Sequence, residues 1–320
     1  MKHEYRLEFR AMGTDITVLA VGSAGSRSLP RLLETVRVLF EREEQRFSRF
    51  RADSELSRLN AAGGSLAPSG PLCDVLLRAE RWRQTTNGVF DPRILPALER
   101  AGYDRTFIEV VSAGARPACP IAPDERPRQG DFVLDGDRRE VRLTGGARLD
   151  LGGIVKGWSV DRAVELLAPL DSFLVDAGGD LAARGDGLYG PGWWVAVEDA
   201  CDPTSDRAVV QVRDASVATS GVYRRRWRGP NGHSAHHLID SATGAPVSNP
   251  VLSVTVMGPD TESCDILAKT ALILGPEMGN SLLEEWSGVE GYMVLTDGGE
   301  RATSGWADLV QERHVLPIDP

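Results

Sequence analysis

Cysteine is scarce. Four in 320 residues, Cys73, Cys119, Cys201 and Cys264, lie far apart without CxxC or CxxxxH spacing, which excludes a disulfide framework or a structural zinc site as the organising element. Incidental or buried thiols are the default, and Cys264 has no histidine near it in sequence to make it a nucleophile. Long apolar runs are also missing: no stretch of about 18 apolar residues occurs, and the opening "MKHEYRLEFRAMGTDITV" lacks the uninterrupted apolar core of a signal peptide. A cytoplasmic location is expected. Positive charge is in deficit, with 36 Lys and Arg against 46 Asp and Glu for a net charge of −10, which argues against non-specific adhesion to nucleic acid or anionic lipid. No GxxxxGK segment is present, so a Walker-type phosphate loop is absent.

With 42% hydrophobic and 26% charged residues, the composition is that of a globular chain able to bury a large core. The length fits two lobes or one large unit. No internal repeat and no clear linker divides the chain, so residues 1–320 are read as one domain, with the proline- and glycine-rich 113–130 segment as a surface insertion.

"DITVLAVG" (15–22) reads as a strand, and residues 29–48 as a helix with Leu32, Val36, Leu39 and Phe40 on one face. A second helix is predicted over 72–86, ended by Asn87-Gly88. "FVLDGDRREVRL" predicts a hairpin around Asp135-Gly136, and 154–167 a helix. Short strands follow at "SFLVDA", "WWVAVED", "RAVVQVR" and "VLSVTVMG", then a helix over 263–274, "GYMVLTDGG" and an extended tail. Strands joined by tight turns without a regular βαβ period predict an α+β fold with a mixed, largely antiparallel sheet and packed helices.

"GDGLYG" (185–190) matches GxGxxG in form only. Pro191-Gly192 and a strand-like run follow it, whereas the dinucleotide fingerprint needs a helix there, so a hairpin turn is the better reading. In "LDLGGIVKGWSVD" (149–161), Gly152-Gly153 leads into a helix whose first turn carries Lys156. A cation there is disfavoured without a nearby anion, which fits a phosphate; a packing turn with a solvated lysine fits the same residues. "DAGGDLAARG" (176–185) places a glycine pair at a strand end, where backbone can approach a ligand or another backbone. "VATSGVYRRRWRG" (217–229) supplies hydroxyls, arginines and an aromatic ring suited to a nucleotide, or a solvated basic strand. In "HHLIDSATG" (236–244), Asp240 with Thr243-Gly244 is turn chemistry, and His236 or His237 is available for acid–base work.

These segments, with "MGTDITV" (12–18), "FSRFRADSELSRLN" (47–60), "NGVFDPRI" (87–94) and "SVTVMGPDTESCDILAKTALILG" (253–275), occur in an order that resembles the ApbE family, the FAD:protein FMN transferases. The resemblance implies an α+β flavin-binding fold and an enzyme that splits the FAD pyrophosphate with the help of Mg2+. It then attaches FMN by a phosphoester to Thr or Ser of an acceptor protein, typically a redox-complex subunit, and releases AMP. By position, it implies that Met12, Gly13 and Phe50 border the flavin or its adenosine, and that Asp91 holds a polar group. Gly152, Gly153 and Lys156 would line the phosphate side, with Gly178, Gly179, Asp180, Thr219, Ser220 and Gly221 along the nucleotide. His237 would be the catalytic polar group, and Asp240 and Thr243 would shape its loop. A flavin binder without catalysis, or a hydrolase giving FMN and AMP, would share the fold.

One position departs from the pattern. The resemblance implies a metal on Asp265 and on a threonine four residues later, yet Lys269 stands there and Thr270 falls one residue too late, a turn of about 100° around a helix. A protonated lysine has no acceptor for a metal. Either its charge takes the metal's position and meets a phosphate, which would make Lys269 catalytic, or it has abolished the site. "DASVAT" (214–219) is one residue short of the acceptor pattern DGxSGAT, so self-flavinylation is not expected.

Overall fold

The computed structural model describes residues 2–62, 65–112, 130–135, 140–202, 204–229 and 234–311. Nearly all of the 113–130 insertion, the hairpin tip at Gly136 and the last nine residues of the chain lie outside the described residues.

The organising element is an eight-stranded sheet, and its order along the sheet follows the chain: Lys2–Ala11, Thr14–Ser23, Phe173–Ala177, Asp180–Arg184, Ala215–Gly221, Val251–Gly258, Glu290–Leu295 and Glu300–Ala302. Every neighbouring pair is antiparallel, so the sheet is not mixed. Alternation along each strand feeds two different cores. From Thr14–Ser23, the side chains of Ile16, Val18 and Ala20 join one cluster and Val21 the opposite one. Phe173 and Val175 repeat the pattern against Leu174, and Ala182 against Leu181 and Ala183. With a pleat of period two, a strand apolar at consecutive positions is buried on both faces.

Helices α1 (Ser28–Phe47), α2 (Glu55–Ala61), α3 (Gly70–Thr85), α4 (Leu95–Arg100), α5 (Phe107–Ser112), α6 (Val155–Leu167), α7 (Thr261–Leu274), α8 (Pro276–Glu285) and α9 (Trp306–Leu309) complete the order. Four of them cover one face in sequence across the sheet: α1 over the first hairpin, α6 over the third and fourth strands, α7 over the fifth and sixth, and α8 over the seventh. The other face is covered by a small antiparallel sheet of Trp193–Glu198, Asp206–Val212 and Val310–Gln311, with Trp193, Val210, Val212 and Trp306 in the shared core. The molecule is therefore three layers deep.

The helix 29–48, the helix 72–86 and the helix 154–167 are found within a residue or two of their expected bounds. Ser69 caps α3 through a 3.4 Å bond from the Leu72 amide, and Asn87 and Gly88 follow its end with positive φ. The hairpin of Phe132–Asp135 and Glu140–Leu143 also forms. "GDGLYG" is a tight connection in which Gly187 donates to the Gly192 carbonyl at 2.8 Å, not a dinucleotide loop. The N-terminal run, which carries no signal-peptide core, is the first strand of the sheet. The residues after Leu295 are not simply extended: Glu300–Ala302 pairs as the exposed edge strand, and α9 packs Trp306 into the core.

Two close approaches fix how the layers meet. Gly157 in α6 faces the start of α7 so tightly that a Cβ would lie 2.8 Å from the Glu262 Cα. Gly178 has φ +67°, and a Cβ there would lie 2.0 Å from the Thr14 hydroxyl; only glycine meets both conditions without strain.

Candidate active site

Three connections converge at one end of the sheet. The first hairpin turns at Met12 and Gly13, with φ of 53° and 70°, the two-residue turn whose twist matches the strands. Methionine in that conformation is uncommon, and it is held by burial against two of the cores. Beside it lies the Gly178-Gly179 turn. Next comes the end of the fifth strand, where the Thr219 amide donates to the Gly179 carbonyl at 3.1 Å. Together with the start of α6, the middle of α7 and the 223–225 and 237–239 segments, they enclose a cleft of about 580 Å3, a size suited to one small ligand.

Met12, Gly13, Phe50, Asp91, Gly152, Gly153, Lys156, Gly178, Gly179, Thr219, Ser220, Gly221, His237, Asp265 and Lys269 all line it. Three expected residues do not. Asp180 lies beneath the cleft, fully buried and ion-paired with Lys156. Asp240 accepts from the Ala242 amide at 2.9 Å and the Thr243 hydroxyl at 3.0 Å, so these two close a turn behind His237. Asp91 borders the cavity, but its carboxylate is taken up by Arg93 at 2.6 Å and by the Arg93 amide at 2.9 Å; its visible work is to position that loop.

The polar floor is dense. Lys156 is not a freely solvated lysine: it is ion-paired with Asp180 and lines the cavity. Burial works against its charge, but Asp180 and Asp265 outweigh that and hold its pKa above the ordinary lysine value. Burial, then the nearby Asp265 charge, push the Asp180 carboxyl upward. Lys269 donates to an Asp265 carboxylate oxygen, to the Gly153 carbonyl at 2.7 Å and to the Asp265 carbonyl at 3.0 Å. One oxygen of Asp180 and one of Asp265 remain buried without a hydrogen-bond partner among the described residues.

The two histidines separate. His236 is buried away from the cleft and bonds the Val247 carbonyl at 3.0 Å, whereas His237 lines the cavity with its Nδ1 unpartnered among the described residues. Burial, then the charges of Arg225, His236, Lys156 and Lys269, push the His237 imidazole well below its ordinary pKa, so it is neutral at physiological pH. Cys264 is a core thiol, fully buried with its pKa pushed well above the ordinary value by burial.

The opposite wall is aromatic and was not foreseen beyond Phe50. Tyr103 and Phe107 join it. The Arg49 guanidinium sits 4.1 Å from the Phe50 ring centre and 4.6 Å from that of Tyr103, anchored by Asp150 at 2.5 Å. The two rings lie 5.6 Å apart with the cation over both, a flat surface suited to a planar ligand ring. Arg225 also lines the cavity. The only hint of this wall in the sequence was the "FSRF" segment; Tyr103 arrives from a loop more than fifty residues away.

The fold and site thus define an antiparallel-sheet protein with a nucleotide-sized cleft, basic and aromatic on facing walls, at one sheet end. The chain belongs to the ApbE family, which it matches over residues 12–293. It is 33% identical to the FAD:protein FMN transferase of Treponema pallidum, over 96% of this chain and 89% of that protein. The flavin transferase ApbE from Vibrio cholerae superposes with a TM-score of 0.80 at 26% identity, covering 97% of this chain and 100% of that one. The ApbE protein from Thermotoga maritima superposes with a TM-score of 0.84 at 23% identity over 97% and 100%, a likeness of fold. No described helix is long and apolar enough to cross a membrane.

Proposed function

We propose that this chain is an FAD:protein FMN transferase. FAD lies in the cleft with a planar ring against Phe50 and Tyr103 and its pyrophosphate over the start of α6. The observation that carries this reading is the placing of a neutral, half-buried His237 beside Lys156 at that helix start, with glycine backbone from three turns around them. Backbone amides at a helix N-terminus and a fixed ammonium suit phosphate oxygens.

In the reaction, the oxygen of an acceptor Thr or Ser forms a bond to the FMN-side phosphorus. The bond from that phosphorus to the bridging oxygen breaks, and AMP leaves with that oxygen. The hydroxyl proton goes to His237, which lines the cleft. Lys156 and Arg225 face the charge that develops on phosphate oxygens. Asp180 keeps Lys156 aimed and protonated.

The test is incubation of the purified protein with FAD and an acceptor domain carrying a target threonine. A fluorescent acceptor and one AMP per label are expected. Free FMN and AMP without labelling would make the chain a hydrolase, and FAD recovered intact would make it a binder.

A further inference from the structure

The ApbE resemblance implies Mg2+ on Asp265, and the residues present do not fit it. The place between Asp265 and Gly153 is filled by the chain itself. Lys269 reaches down from one turn along α7, its side chain 11% exposed and that of Asp265 5% exposed. Its three N–H donors meet three oxygens: the Asp265 carboxylate, the Asp265 carbonyl and the Gly153 carbonyl. An ammonium has three donors and no acceptor, so this set is complete. All three partners are hard oxygen atoms, the kind a magnesium ion takes. The stem of the lysine also belongs there, since its Cε would lie 3.6 Å from a Cβ built on Gly153, at ordinary contact distance across the glycine turn.

Charge points the same way. Asp180 and Asp265 are balanced by Lys156 and Lys269, so the floor is neutral before any ligand enters. A divalent ion added to the same cradle would face an ammonium at contact distance, one already bonded to the Gly153 carbonyl and to one Asp265 carboxylate oxygen. Thr270 does not replace the missing ligand: it is buried, with its hydroxyl unpartnered among the described residues and about 100° further around the helix.

We propose that the Lys269 ammonium is the resident cation of this site, so that the protein works without a divalent ion between Asp265 and the Gly153 carbonyl. Its purpose rests on the transferase reading, because an ammonium there stands close to Lys156 where the pyrophosphate would lie. Its test does not, since metal binding can be read without turnover.

The probe is MnCl2 titrated into the full chain, followed by the electron paramagnetic resonance signal of free Mn2+, with thermal unfolding in MgCl2 and in EDTA beside it. The wild-type protein is expected to leave the Mn2+ signal as in buffer and to unfold at the same temperature in both media. Lys269→Thr is expected to take up one Mn2+ per chain and to be stabilised by MgCl2, an uptake that a further Asp265→Asn substitution removes. Where turnover is measured, wild-type AMP release is expected to agree within about twofold between EDTA and MgCl2, a span too small for loss of a catalytic metal. Stoichiometric Mn2+ binding by the wild-type chain that Asp265→Asn abolishes would overturn the proposal. So would a folded Lys269→Thr that binds no Mn2+, because the cradle would then not be a cation site. The wild-type measurements decide the question even if the variant misfolds. Absence of AMP in every medium would overturn the transferase reading and leave the metal result standing.

Discussion

His237 shows how burial converts a common side chain into a specific one. It is neutral because the cavity wall desolvates it and because Arg225, Lys156 and Lys269 oppose a further positive charge. A base with a depressed pKa stays active as the pH falls, down to that pKa. The acid limb of kcat/KM, which reports the free enzyme, should therefore lie below pH 6.5, the ordinary histidine value. His237→Ala should remove this limb and lower labelling by about 10²- to 10⁴-fold, with FAD affinity little changed. A wild-type limb clearly above the ordinary histidine value would remove the base role. Gly178 makes a different kind of prediction. Gly178→Ala places a methyl group against Thr14 at positive φ, and urea unfolding should show a loss of about 1–3 kcal/mol.

At the scale of the element, α7 is held from outside its own sequence. Asp260 caps it locally by accepting from the Ser263 amide at 2.8 Å, while Asp161 of α6 accepts from the Thr261 and Glu262 amides at 2.8 and 2.9 Å. Burial pushes the Asp161 carboxyl up to about 6 from 3.8. Since the folded chain then keeps a proton that the unfolded chain has lost, this group's contribution to stability is greatest below about pH 4. It declines as pH rises to about 6, by about 2–3 kcal/mol in all. The stability difference between wild type and Asp161→Asn should follow that decline in denaturant titrations at pH 4 and pH 6, and a difference independent of pH would refute it. Gly157 permits the same helix contact. Gly157→Val should separate α6 from α7 and lower both stability, by about 1–3 kcal/mol, and FAD affinity, because the two helices carry Lys156 and Asp265. Unchanged affinity in a folded variant would show that the site does not depend on this contact.

At the scale of the molecule, the cleft draws on segments from Arg10 to Ile273, so a ligand there ties together most of the chain. FAD at a hundredfold excess over its Kd should stabilise the folded state by about 2.7 kcal/mol, seen as a rise in unfolding temperature. A clear rise with FAD and none with AMP would place the affinity in the flavin half and the isoalloxazine on the aromatic wall; equal rises would place it in the adenylate half. Much of the architecture was legible. The long helices and the β-branched strands announced themselves because amphipathic period and cap residues are local properties. The first strand was not, because residues 2–11 form an outer strand whose mixed polar and apolar residues carry no strong local signal until Thr14–Ser23 pairs with them. The site was legible as separate glycine turns and polar segments. Asp180, Asp240 and Thr243 belong to its support rather than its lining.

What the sequence by itself determined was the consecutive apolar residues that bury the central strands on both faces, the helix bounds, the glycine turns, and the presence of Lys269 four residues after Asp265. Those follow from periods and propensities acting over a few residues. Only the tertiary structure decided that Lys156 answers to Asp180 and that His237, not His236, faces the cleft. It also decided that Lys269 closes on the carbonyl of Gly153, 116 residues away. These are pairings across layers, set by which sheet end and which helix turns meet, and nothing local to either partner specifies them.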